Sequence, residues 1–291
     1  MSQYYQHLDA GHFDYQLTAL DGIPGERFRG PPPDPERPYI ACAGAAQTFG
    51  RFCDDPFPTI LSRRLGVQAV NLGVGGAGPR YFDAPHFLRW LAGARLVVLQ
   101  VLAGRSSGNS LFDNTATGTL EGVRVRDGRV MRFEDFLVEL VRDEPAATVR
   151  RIVAETRDAY TAGMLGLIGR IEAPTILFWL STRRPEYVED WTSPWGVMGA
   201  FPQLIDRTVL DRLSPACAAA VECVSDAGLP QSLWAADEEV LGTELRRGLL
   251  RNVYYPSPEI HIAAADRLEP VCRELLDRIQ RPTPSAPRPG G

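Results

Sequence analysis

Short apolar runs, each closed by glycine or a polar loop, alternate with longer amphipathic stretches along most of this chain. Residues 38–44 (PYIACAG), 67–73 (VQAVNLG), 95–104 (RLVVLQVLAG) and 174–181 (PTILFWLS) read as buried strands, and a short fifth strand falls near 218–224. The run at 95–104 is apolar without alternation, as in strands covered on both faces by helices. Residues 57–66 put Ile60, Leu61 and Leu65 on one helical face and stop at Gly66. Residues 79–93 are helical with an interruption at Pro85, and 147–171 form a long helix. Residues 206–224 begin as a helix that leads into the fifth strand, and 257–279 form the closing helix. This order predicts an α/β fold on a doubly wound, mainly parallel five-stranded sheet, with ligands at the carboxyl ends of the strands.

The remaining segments organise around that domain, which spans 38–281. Residues 1–37 are polar and Pro-rich, with Pro31, Pro32 and Pro33 in a row, and read as an N-terminal arm packed on the domain. Residues 105–145 form a long polar insertion, placed to act as a lid. Trp191, Trp195 and Phe201 lie among prolines and glycines in 183–205; they either wall a pocket for an apolar or sugar-like ligand or pack a loop. The stretch 282–291 is rich in Pro, Gly and Ser and reads as a disordered tail.

Composition narrows the chemistry. All 31 basic residues are arginine, since the chain contains no lysine. Schiff-base chemistry needs a lysine amine, and a P-loop needs its lysine, so both are excluded in their usual forms. A net charge of −5 gives no basic footprint for nucleic acid. Five cysteines, none in a CxxC pair, suggest reduced thiols and a cytoplasmic protein. No signal peptide or membrane span is visible, and the four histidines show no zinc spacing, so neither a metal nor a cofactor is expected. Residues 73–78 fit G-x-G-x-x-G, but they follow the second strand and no acid closes the next one, so a dinucleotide site is disfavoured.

The candidate chemistry lies in the loops after the first three strands. The first strand runs into Gly44-Ala45-Ala46-Gln47-Thr48-Phe49-Gly50, the second into Asn71-Leu72-Gly73-Val74-Gly75-Gly76, and the closing helix opens Pro258-Glu259-Ile260-His261. In order and strand placement these resemble the G-D-S-x-T-x-G, N-x-G-x-x-G and D-x-x-H blocks of the SGNH, or GDSL-like, hydrolases. The runs Arg27 to Pro31, Thr48 to Phe52 and Tyr254 to His261 also resemble a bacterial branch of such proteins with a degenerate serine block. The resemblance implies a flavodoxin-like SGNH hydrolase fold and a small-molecule substrate of ester, acyl or glycan-linked type.

It also implies roles. Gly76 would donate its backbone N–H to an oxyanion and His261 would be the general base, with Asn109 as the substitute for the missing asparagine of the third block. Ala46, Gln47, Thr48, Gly75 and Glu259 would line the substrate, and Arg51 or Arg105 would hold an anionic group. The chain departs from the pattern where it matters most. Ala46 stands at the nucleophile position, Ala45 at the neighbouring aspartate, and Pro258 at the aspartate that orients the histidine. Three readings follow: an enzyme without an acyl-serine, a non-catalytic binding protein that keeps the cleft, or an acyl or sulfuryl transferase. Taken alone, His261 also reads as a histidine capping a helix start. Convergence of His261, Asn109 and the Gly76 amide would favour catalysis.

Overall fold

A computed structural model describes residues 9, 12–34, 36–233 and 251–280. The stretch 282–291 lies outside them. Five strands form the central sheet: β1 (Tyr39–Gly44), β2 (Gln68–Gly73), β3 (Leu96–Gln100), β7 (Thr175–Ser181) and β8 (Ala219–Val224), in the order β2-β1-β3-β7-β8. Every neighbouring pair is parallel. This is the flavodoxin-like order of a doubly wound sheet, and its switch point lies between β1 and β3.

Side-chain alternation explains the two layers. Ala41, Ala43, Val97, Leu99, Leu177 and Trp179 face one core, while Ile40, Cys42, Val98, Ile176, Phe178 and Leu180 face the other. On the first face, Phe82 of α3 (Pro79–Phe82) and Phe87 and Leu91 of α4 (Pro85–Ala92) meet the carboxyl half of α6 (Ala146–Arg170) and α8 (Arg207–Leu213). The second face is covered by α2 (Phe57–Leu65) and α9 (Pro258–Gln280). The interruption at Pro85 separates α3 from α4, because proline fits the first turn of a helix better than its interior. The helix read from 206 is shorter than expected. It ends at Leu213 in a tight turn over Ser214–Ala216 before β8, since Pro215 cannot continue the ladder.

The insertion is an ordered unit. Its strands β4 (Phe112–Asp113), β5 (Glu121–Arg124) and β6 (Arg129–Arg132) form an antiparallel sheet that runs into α5 (Phe133–Asp143). Phe112, Phe133, Phe136 and Leu140 pack on Val149, Ile152 and Val153 of α6. The loop after β2 pairs with it: Gly78 N–H donates to Gly118 at 2.8 Å and Leu120 N–H to Gly76 at 3.0 Å. The arm contributes Leu20, Ile23 and Phe28 to the first core. No helix among the described residues is long and apolar enough to cross a membrane.

Candidate functional site

The turn after β1 is built by buried polar groups. A short helix, α1 (Ala46–Phe49), starts directly after Ala45, which has no side chain to cap it. Gln100, at the end of β3 and fully buried, takes over that work. Its Oε1 accepts the Ala45 N–H at 2.9 Å and the Thr48 hydroxyl at 2.7 Å. From the other side, Asn71 donates to the Thr48 carbonyl at 2.9 Å and accepts the Gly73 N–H at 2.9 Å. A Cβ at Gly44 would collide with Thr48 and Gln100, so the close approach requires glycine there.

His261 lies under this turn. It is fully buried, and its Nδ1 accepts the Phe57 N–H at 3.2 Å. Phe57 is the first residue of α2, whose preceding residue, Pro56, offers no side-chain cap, so the imidazole satisfies one of the free N–H groups of that helix. Nδ1 is therefore the unprotonated nitrogen, and Nε2 has no partner among the described residues. Burial, aided by the charge of Arg29, pushes its pKa down to about 3. The lone pair a base would use is committed to the fold.

The other residues named from sequence have separate partners. Gly76 has φ +78°, its carbonyl accepts the Ser106 hydroxyl at 2.9 Å, and Leu120 covers its Cα at 2.6 Å from where a Cβ would stand. Gly75 beside it is half-buried. The Asn109 side chain closes a turn, accepting the Leu111 and Phe112 N–H groups at 2.9 Å and donating to Thr156 at 3.0 Å. Glu259 is exposed and lies against Gly228. His261, Gly76 and Asn109 share no partner.

Arg51 is part of a buried knot. It pairs with Asp9 at 2.7 Å and donates to the Tyr255 hydroxyl at 3.1 Å. Burial opposes its charge, yet Asp9 and Tyr255 hold its pKa above the ordinary value. Arg29 reaches across from the arm to the carbonyls of Gly50, Cys53 and Asp54, over the ring of Tyr15. Arg29, Arg51, Tyr255 and His261 belong to the three runs that resemble a bacterial branch, and the bonds of Arg29 to Gly50 and of Arg51 to Tyr255 tie one run to another.

A cleft opens on the neighbouring part of the carboxyl edge, beyond β7 and β8. It spans about 430 Å³ counted together with the open solvent at its mouth, with walls from Leu180, Phe201, Val253 and Ile260. Gln47 and Tyr254 line it too. Gln47 is only 3% exposed, and its Oε1 has no partner among the described residues. The Tyr254 hydroxyl accepts from Arg105 at 3.3 Å and from Gln203 at 3.2 Å, and Arg105 is ion-paired with Glu134 at the start of α5. Of the aromatic group in 183–205, Phe201 reaches the cleft; Trp191 stacks under Arg150 at 4.3 Å and Trp195 stands in solvent.

Of the residues named from sequence, Gln47 lines the cleft and Arg105 bonds to Tyr254 at its edge; Tyr254 and Gln203 were not named, nor was Gln100, the buried clamp beneath Ala46. Gln100 left a signal, a polar residue closing a wholly apolar strand, and Tyr254 opens a run that had been singled out.

Comparison with known proteins decides the family. The pattern described as a domain of unknown function, DUF6473, matches residues 3–114 and 129–276. The chain belongs to that family. The match skips 115–128, the part of the insertion between β4 and β6. No curated protein matches the chain. Among solved structures it is similar to a carbohydrate esterase family 2 enzyme of Corynascus thermopiles (Myceliophthora fergusii), at 14% identity over 87% of this chain and 70% of that one, TM-score 0.38. It is also similar to the lipase Lip_vut3 from a goat rumen metagenome, at 9% identity over 80% and 96%, TM-score 0.43. A third is an extracellular lipase of Streptomyces rimosus, at 12% identity over 82% and 99%, TM-score 0.39.

Proposed function

We propose that this DUF6473 protein binds a small ester, acyl or glycan-linked molecule in the cleft beyond β7 and β8, and does so without forming an acyl-enzyme. The resemblance of residues 44–50 and 71–76 to SGNH blocks supports that ligand class. The observation that carries the binding reading is the state of the would-be catalytic groups. Ala46 stands where the resemblance puts the serine, the lone pair of His261 caps α2, and the Gly76 carbonyl is tied to Leu120 and Ser106. Two of the hydroxyls nearby are engaged. Ser106 donates to Gly76 at 2.9 Å, and Ser181, which lines the cleft, donates to the Phe201 carbonyl at 2.6 Å. A hydroxyl locked as a donor to a carbonyl, with no base beside it, is a poor nucleophile.

What remains is a preformed concave site with apolar walls and a few polar groups, the usual composition of a ligand pocket. The test has two arms. A serine-directed fluorophosphonate should leave the wild type unlabelled, and p-nitrophenyl acetate should be hydrolysed at the background rate. Native mass spectrometry of the protein incubated with a bacterial metabolite extract should show a bound small molecule, which Ala200→Trp, filling the cleft, should remove. Serine-dependent labelling with turnover would overturn the reading, as would a bound mass indifferent to Ala200→Trp.

A further inference from the structure

Where β7 and β8 end, two hydroxyls stand side by side. The strands are parallel with Ser181 opposite Val224, and the ladder runs one step further, since the Ser225 N–H donates to the Ser181 carbonyl at 3.1 Å. Thr182 and Ser225 follow these last paired residues, and both line the cleft. Neighbouring strands lie about 4.8 Å apart and an O–H···O bond spans about 2.8 Å, so one ligand oxygen placed between the two side chains meets both.

Neither hydroxyl hydrogen is spent. Ser225 accepts the Ala227 N–H at 3.2 Å, which leaves its own hydrogen to donate. The Thr182 hydroxyl has no partner among the described residues. Thr182 is exposed and Ser225 half-buried, so a ligand in the cleft can reach them. Ser181 beside them is committed, donating to Phe201 and accepting the Arg183 N–H at 3.0 Å.

Charge narrows what the pair can hold. Among the described residues that line the cleft there is no Asp, Glu, Arg or His. Arg183, which follows Thr182, spends its donors on the carbonyls of Arg184, Ala200, Pro202 and Ile205. An anion between the two hydroxyls would lose water without gaining a counter-charge, whereas a carbonyl oxygen is less costly to desolvate.

We infer that Thr182 and Ser225 form a two-hydroxyl clamp for the carbonyl oxygen of an uncharged ester, whose apolar part lies on Leu180, Phe201 and Ile260. This rests on the cleft being the ligand site, as proposed above, and adds the residues that fix the polar end of the ligand.

Three probes of similar outline test the clamp. Methyl benzoate has the carbonyl, ethylbenzene lacks it, and benzoate carries a charge. Amide-resolved NMR titrations of the wild type, Thr182→Val, Ser225→Ala and Ala200→Trp read their affinities. Neither hydroxyl lies in the core, and Thr182→Val keeps the shape of the side chain, so both deletions should fold as the wild type does. Each should weaken methyl benzoate by about two- to tenfold, the range of one neutral hydrogen bond, and leave ethylbenzene unchanged. Benzoate should bind the wild type at least about tenfold more weakly than its ester. Methyl benzoate indifferent to both deletions refutes the clamp, as does an equal loss for ethylbenzene, which reports shape alone. Benzoate binding as tightly as the ester refutes the selection for an uncharged ligand. If Ala200→Trp abolishes binding in these cases, the cleft stays the ligand site. Absence of any binding up to the solubility of the probes also overturns the clamp, while the native mass measurement judges the cleft separately.

Discussion

His261 makes the fold sensitive to acid in a way that can be calculated. Its pKa stands at about 3 in the folded chain, against an ordinary value of 6.5 once the chain unfolds. The depressed value means that the unfolded state binds the proton first. Stability is therefore intact above pH 6.5 and falls as pH drops from 6.5 toward 3. From pH 7.5 to pH 5 the loss from this one group amounts to about 2 kcal/mol, taking 1.36 kcal/mol per pKa unit and the population of the protonated unfolded form. Urea unfolding at pH 7.5, 6 and 5 measures it, because the midpoint moves with stability while the slope reports the surface exposed. Depressed surface carboxylates such as Asp127 and Glu269 also lose stability in acid, so the informative quantity is the difference between wild type and His261→Gln. That variant keeps an acceptor for the Phe57 N–H and removes the titration. Its stability should change by about 2 kcal/mol less than that of the wild type over this range. Identical pH profiles, or an imidazole NMR titration with a midpoint near 6.5 in the folded protein, would refute the buried neutral histidine.

Three further outcomes follow from the same packing. Ala46→Ser should leave p-nitrophenyl acetate hydrolysis at background, because the one lone pair of the neutral imidazole, on Nδ1, is held by Phe57; a clear serine-dependent burst in a stopped assay contradicts this. Asp9→Ala should lower stability by about 3–5 kcal/mol, the usual cost of removing one partner of a buried ion pair, with Arg51 only 8% exposed; limited proteolysis should then cut the arm sooner, and an unchanged urea midpoint would count against the knot. Gly44→Ala should destabilise by about 1–3 kcal/mol or more, since the added methyl meets Thr48 and Gln100, and a neutral effect in thermal melting would show that the turn after β1 can relax.

The five strands were legible because each is a short apolar run with a clear stop, and their observed bounds differ from the expected ones by one residue, except that β3 ends at Gln100 instead of residue 104. Strand order could not come from pattern alone, but the right-handed crossovers of parallel strands narrow it. The insertion was less legible. Its apolar residues, Phe112, Phe133 and Phe136, lie far apart in a polar stretch, and their shared core with α6 exists only in three dimensions. The role of His261 was readable in part. Counted along α9, it shares a stripe with Ala264, Ala265, Leu268 and Cys272, all fully buried, at helical spacing. A histidine on that stripe points into the second core. The sequence also contained the amide pair Gln47 and Gln203, but nothing local shows that a loop two hundred residues from the first strand brings Tyr254 to them.

Arg29, Arg51, Tyr255 and His261 form a knot around the turn after β1. In this chain the turn after β1 is held from beneath by His261 through Phe57, from the side by Arg29 through Gly50, and from the far end by Tyr255 through Arg51. Each tie uses a residue of one of the three resembling runs. A reactive serine at position 46 would need the histidine free, and its lone pair is spent on Phe57. The polar capacity left over is displaced toward β7 and β8, where Gln47, Tyr254 and Gln203 meet at an uncharged cleft.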